Sequence, residues 1–152
     1  MAFKQPLSVL VLVHTQDLHV LLLERADYPA HWQSVTGSVE PGETLGDAAV
    51  RELAEETGID AAAYGGVIDR KVSNAFEIFP QWRGRYAPGT THNVEHVFAL
   101  AVPHRVPVTL APREHLGFEW LPWREAAQKC FSWTNRAVIE ALPDFTQTRT
   151  ST

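Results

Sequence analysis

The sequence predicts a single α/β domain spanning residues 1–152, and three observations carry that expectation. Its 152 residues, 45% of them hydrophobic and 20% charged, suit one domain with a sizeable core. Apolar or alternating runs at Pro6–His14, Val20–Leu23 and Asn93–Val102 have the length and pattern of strands. Residues 44–58 carry the start and stop signals of a helix.

In order along the chain, Pro6–His14 is rich in Val and Leu and reads as a buried strand. Thr15–His19 is a polar turn, so Val20–Leu23 forms a hairpin or a neighbouring strand with it. Lys4 precedes the first strand and Arg25 closes the second. Each is either a surface charge or a phosphate contact, Arg25 the stronger candidate because a guanidinium fork matches phosphate oxygens. Asp27–His31 is a loop containing Pro29, and Trp32–Thr36 is a short extended segment. Trp32 is read as core rather than as a stacking platform. Thr36 stands beside Gly37, where the missing Cβ lets a ligand or metal approach the backbone. Gly37, Pro41 and Gly42 make a loop, Thr44 caps a helix with Asp47 three residues on, and Gly58 suits the left-handed turn that ends it.

Asp60–Gly66 is a small-residue connection, and Val67–Val72 opens a further strand region. Phe76, Glu77, Ile78 and Phe79 follow, then Pro80, Trp82, Arg83, Arg85 and Tyr86. This interleave is either a strand edge with packing aromatics or the wall of a pocket for a flat heterocycle beside phosphate-binding arginines. Ala87–Gly89 is a turn before the strand Asn93–Val102. His92, Glu95 and His96 lack the H-E-x-x-H spacing and lie on a strand, so the histidines are read as partly exposed rather than as a zinc site. Pro103–Pro112 is a loop with a short strand expected at Val106–Leu110. Glu114 stands at a loop mouth before the strand Phe118–Leu121, either solvated or supplying a ligand or base to a site elsewhere. A helix is expected at Trp123–Lys129, and another capped by Ser132 or Thr134, running to Leu142 and stopped by Pro143. The polar tail Thr146–Thr152 is expected to fray.

The formal charge of −5 argues against non-specific nucleic-acid binding, which wants a basic surface. One cysteine, Cys130, allows no internal disulfide and suits a reducing, cytoplasmic setting; it reads as a small buried residue, not a nucleophile. No apolar run reaches the length of a membrane span.

Glu52, Glu55 and Glu56 are the informative residues of the central helix, because positions i, i+3 and i+4 share one face. Like charges so placed repel by a few tenths of a kcal/mol per pair. The helix dipole near a C-terminus disfavours each by about 0.3–1 kcal/mol. Arg51 offsets one carboxylate but not three. Either the face is simply solvated, or a hard divalent cation such as Mg2+ or Mn2+ completes the balance.

The spacing decides between these. Gly37, Glu43, Arg51, Glu52, Leu53, Glu55, Glu56, Gly58 and Ile59 fit the pattern G-x5-E-x7-R-E-U-x-E-E-x-G-U, with U a bulky aliphatic residue. This is the pattern of the Nudix box, and on these residues the chain resembles the Nudix hydrolases. The resemblance implies an α/β/α sandwich with a mixed sheet between helices, and metal-dependent cleavage of a pyrophosphate-containing small molecule. Residues 32–40, 76–79, 85–89, Glu114, His115, Leu116, Ser132, Trp133, Asn135 and Arg136 also resemble one branch of that family, the dihydroneopterin triphosphate pyrophosphatases. That branch implies Mg2+ on Glu52, Glu56 and Glu114, and substrate contacts from Lys4, Arg25, Thr36, Phe76, Glu77, Ile78, Phe79 and Ser132. Glu55 or Glu114 would be the general base, and Glu43 with Arg51 a structural ion pair. The implied reaction releases pyrophosphate and leaves the monophosphate, a step of folate biosynthesis. Two alternatives stay open: a housecleaning nucleoside triphosphate pyrophosphatase, and a non-catalytic nucleotide-binding module of the same fold. The sequence does not decide oligomeric state.

Overall fold

The computed structural model describes residues 3–145, so the expected frayed tail Thr146–Thr152 lies outside the described residues. Its organising strand is β1 (Leu7–Thr15). Residues 9–13 of β1 are all buried, because both faces of the strand are covered. Along one edge β1 runs parallel to β6 (His92–Val102), in register from Leu7↔Val94 to Thr15↔Val102. Along the other it meets β2 (His19–Arg25) at His14↔Val20 and β4 (Val35–Ser38) from Ser8↔Ser38 to Val11↔Val35, both antiparallel. β2 carries β3 (Trp32–Gln33) and β7 (His115–Pro122), and β5 (Ile68–Glu77) pairs with β6. One parallel pair among antiparallel ones makes this seven-stranded sheet mixed.

The period-2 alternation of β1 sorts its side chains between two layers. Val9, Val11 and Val13 pack with Leu53 and Ala49 of α1 (Leu45–Thr57). Leu10 and Leu12 pack on the other face, with Ala126 of α2 (Trp123–Lys129) and Ile139 of α3 (Trp133–Glu140). The result is the α/β/α sandwich expected from the sequence. Among the described residues, no helix is long and apolar enough to cross a membrane.

Three expectations change in detail. The segment Val106–Leu110 forms no strand. Pro103 and Pro107 remove backbone donors, and Val106, 3% exposed, packs against the α1 layer while Thr109 N–H bonds the Thr57 carbonyl at the end of α1 (2.8 Å). The extended segment Trp32–Thr36 is broken at Ser34, whose N–H turns to Asn135 Oδ1 (2.8 Å). Pro143 does not end the helical chain, since residues 142–145 add a further turn. Trp32 packs against the α2–α3 layer, and burial pushes the Cys130 thiol up to about 12, which suits a packing role.

Gly46 lies in the first turn of α1, and an added Cβ there meets nothing within 4 Å. Gly46→Ala is therefore expected to raise stability by about 0.5 kcal/mol in urea denaturation, by restricting the unfolded chain, and to leave turnover unchanged.

Candidate active site

α1 is fixed at both ends. Thr44 Oγ1 accepts the Asp47 N–H (3.1 Å), and Gly58 takes the left-handed conformation at φ 72°. Ala48, Ala49 and Leu53 face the sheet, which aims the neighbouring Arg51, Glu52, Glu55 and Glu56 at the loop before the helix. The Arg51 guanidinium donates to both Glu43 oxygens (2.7 and 2.9 Å), to Glu52 Oε1 (2.8 Å), to Glu55 Oε2 (3.3 Å) and to the Ser38 carbonyl (3.0 Å). One fork thus ties the loop, β4 and the helix together. The Arg51 bonds, aided by the Glu40 N–H, hold the Glu43 carboxyl down at about 2. A depressed carboxyl stabilises fully above its unfolded value and loses that contribution as the pH falls through the folded one. Arg51→Lys, which lacks the fork, is expected to lower stability by about 1–2 kcal/mol near neutrality. That deficit should shrink as the pH drops from about 4.5 towards 2 in acid denaturation curves.

Glu56 is 2% exposed, and its Oε2 has no hydrogen-bond partner. Its pKa is raised well above the usual carboxylate range, by burial first and then by Glu52 beside it. Glu52 is also raised, chiefly by burial, against the pull of Arg51. Two carboxylates in hydrogen-bonding contact, one with an orphaned oxygen, form a site that favours a proton or a cation between them. Gly37 leaves the space for it: a Cβ there would collide with the Glu52 carboxylate. Among the described residues, no three carboxylate, imidazole or thiol side chains are already gathered as a cage. The donor set is a pair plus the neighbouring carboxylates Glu55 and Glu114, which line the same cavity. All are hard oxygen donors, and a divalent cation that keeps several waters fits them. His115 Nε2 lies 3.3 Å from Glu56 Oε1. Burial and the nearby Arg25 lower its pKa to about 4, so it adds no positive charge at neutral pH.

A cationic side adjoins the carboxylates. Lys4 is pinned by a bridge to Tyr86, its N–H bonding the Arg85 carbonyl (2.9 Å), so this end of the chain is held. Desolvation and Arg85 lower the Lys4 pKa from the ordinary lysine value. Arg25 grips Asp27 through two bonds of 2.6 Å, donates to Gln33 Oε1 (2.9 Å) and lies 4.2 Å from the Trp82 ring centroid. Arg85 reaches the same Asp27 (3.0 Å). Arg25 first and then Arg85 hold the Asp27 carboxyl down at about 2, so Asp27 is an anionic bridge between two arginines. A phosphate entering here would compete with Asp27 for both forks.

An aromatic wall adjoins these arginines. Phe79 and Trp82 stack at 5.3 Å and 5°, and Phe131 meets both edge-on at 5.7 and 6.1 Å. Phe76, Ile78 and the polar floor of Ser8, Asn93, Glu95 and Asn135 continue the wall. The cavity holds about 690 Å³, within the usual range for a small-molecule site.

Of the residues singled out from sequence, Lys4, Arg25, Thr36, Glu52, Glu55, Glu56, Phe76, Ile78, Phe79, Glu114 and Ser132 all line this one cavity. Glu77 does not: strand alternation turns it outward, where it pairs with Arg83 (2.6 Å). Glu43 and Arg51 stand behind the carboxylates as an ion pair. Ser132 sits at the N-cap of α3 but makes no capping bond; its hydroxyl bonds Thr134 Oγ1 (2.8 Å). Sequence reasoning passed over Asp27, Gln33, Glu95 and Phe131 as site residues. Only Glu95 carried a usable signal, sharing its strand parity with Val97 and Ala99 of the buried face.

Residues 4–142 match the NUDIX domain. A dihydroneopterin triphosphate diphosphatase of Escherichia coli K12 is 48% identical over 140 residues, spanning 91% of this chain and 92% of its own length. The protein of that name from Haemophilus influenzae is 40% identical over 142 residues, spanning 92% and 89%. The solved structure of the E. coli dihydroneopterin triphosphate pyrophosphohydrolase superposes with a TM-score of 0.86 at 47% identity, over 92% of this chain and 96% of that one.

Proposed function

The chain belongs to the Nudix family of hydrolases, and from that membership we propose that it hydrolyses dihydroneopterin triphosphate to the monophosphate and pyrophosphate, with Mg2+, in folate biosynthesis. The observation that carries the reading is one cavity that joins a carboxylate pair, two arginines and an aromatic wall, the three surfaces a heterocyclic triphosphate requires. Near-full-length identity of 48% to a protein of that activity supports the pterin as the heterocycle.

In this reading Glu52 and Glu56, with Glu114 from the loop before β7, hold the cation. Bound Mg2+ supplies charge neutralisation on the phosphate oxygens and acidifies a water. Arg25 and Lys4 align the phosphate chain, so the displaced pyrophosphate leaves in line with attack. Glu55, on the solvent side of α1, or Glu114 accepts the proton of the attacking water. Thr36 and Ser132 flank the chain, and Phe76, Ile78 and Phe79 pack on the ring, where stacking contributes about 1–3 kcal/mol.

Pyrophosphate release from dihydroneopterin triphosphate, beside a panel of nucleoside triphosphates and with and without Mg2+, tests this. The expected result is metal-dependent release with the pterin preferred at least tenfold in kcat/KM. Release from nucleotides with the pterin ignored would overturn the substrate while keeping the chemistry.

A further inference from the structure

Glu95 is a charged residue on the inner face of a strand. It lies on β6 with the parity of Val97 and Ala99, and is 5% exposed. Its hydrogen-bonding partner is Thr134 of α3, while its Oε1 has no partner. An ionisable group so placed is costly to a fold unless something completes it. The other polar groups of the floor are paired. Ser8 Oγ donates to Asn93 Oδ1 (3.2 Å), Asn93 Nδ2 donates to the Tyr86 hydroxyl (3.2 Å), and the Asn135 amide bonds Ser34 through both its oxygen (2.8 Å) and its nitrogen (2.9 Å).

The location suits a ring rather than a phosphate. Glu95 lines the cavity that Phe76, Ile78 and Phe131 also line. Across the sheet it is in register with Ser8, which is in register with Ser38 at the end of β4. Two strand spacings separate Glu95 from Ser38, about 10 Å. A ligand with its phosphates between Arg25 and the Glu52–Glu56 pair therefore sets its ring over this floor.

We propose that Glu95 is a specificity-determining residue, whose carboxylate accepts two coplanar N–H donors from a 2-amino-4-oxo ring edge, the edge shared by pterins and guanine. A carboxylate has two acceptor oxygens in the spacing of that amide-and-amine pair, and charge-assisted bonds of this kind are the stronger class. A ring with a 2-oxo group presents an acceptor at the same position and is repelled. Burial pushes the Glu95 carboxyl up to about 7 in the ligand-free site, and two donors return it to the charged form. The inference rests on the heterocycle-binding reading of the cavity given above, and it identifies the part of the ring that is read.

Pterin and lumazine make the test, since they differ at the 2-position, amino in one and oxo in the other. Their dissociation constants are read by fluorescence titration of the full chain, wild type and Glu95→Gln, with melting temperature as a fold check. The wild type is expected to bind pterin at least about tenfold tighter than lumazine. In Glu95→Gln one acceptor becomes a donor, and the ratio is expected to fall near one without a lower melting temperature. A wild type with no preference overturns the assignment, and so does a variant that weakens both ligands alike, because a merely structural glutamate would do that. Glu95→Asp should keep part of the preference, which separates chemistry from misfolding. A pterin preference in a protein that releases no pyrophosphate from dihydroneopterin triphosphate would sink the proposed function and leave the Glu95 assignment standing.

Discussion

Glu56→Gln is expected to lower turnover about 10³-fold, a loss of about 4 kcal/mol of transition-state stabilisation, while raising the melting temperature of the metal-free protein. The two effects share one cause. Glu56 is buried with an unpartnered Oε2, and burial together with Glu52 opposes its ionisation. The folded chain therefore holds two carboxylates in contact that destabilise it when no cation is present. Glutamine keeps the shape, removes the charge, and provides an amide that can donate to Glu52. It also removes a hard anionic ligand, so affinity for Mn2+ should fall in the same variant. Turnover is measured by pyrophosphate release at saturating Mg2+, and stability by thermal melting in chelator. A variant with wild-type turnover would remove Glu56 from the metal site; one that melts earlier would mean its carboxylate is satisfied in a way the geometry does not show.

The box helix was legible because its signals are local. Thr44, Asp47 and Gly58 are read from neighbours three or four positions away, and the structure puts the cap bond and the left-handed turn where those residues stand. The sandwich was legible at one remove, since the box carries the fold with it. What stayed hidden depends on contacts far apart in the chain. Ser34 leaves the strand ladder for Asn135, 101 residues away. Asp27 bridges Arg25 and Arg85, the latter 58 residues on, and no spacing rule connects them. Val106–Leu110 has strand-like residues, but Pro107 and the demands of the α1 layer hold it as packed coil. The branch resemblance takes Glu77 together with its aromatic neighbours as one segment, although period-2 alternation alone puts it on the opposite side from Phe76 and Ile78. In the sequence Glu95 stands out only as a companion of His92 and His96. The same alternation sets those histidines on the other face and leaves the glutamate against the core.

Gly37→Ala is the second large effect, expected to reduce kcat/KM about 10²-fold in a protein that stays folded. A methyl group on Gly37 would occupy the place of the Glu52 carboxylate, and the backbone there has little freedom to move away. Gly37 is paired with Val9 in the β1–β4 ladder, and Val9 is fully buried beneath α1. The side chain must yield instead. Glu52 then leaves Glu56 and loosens from Arg51, and the carboxylate pair that the cation needs is pulled apart. Loss of Mn2+ affinity should accompany the loss of turnover, because the methyl disturbs the donor set rather than the ring end of the cavity. Pterin binding in the absence of metal should be little changed. Gly46→Ala provides the matched control, since its added methyl meets nothing and lies on the same loop-and-helix unit. If Gly37→Ala kept both metal affinity and turnover, Glu52 could not be acting from the position in which it stands, and the requirement for glycine at the head of the box would need another physical cause.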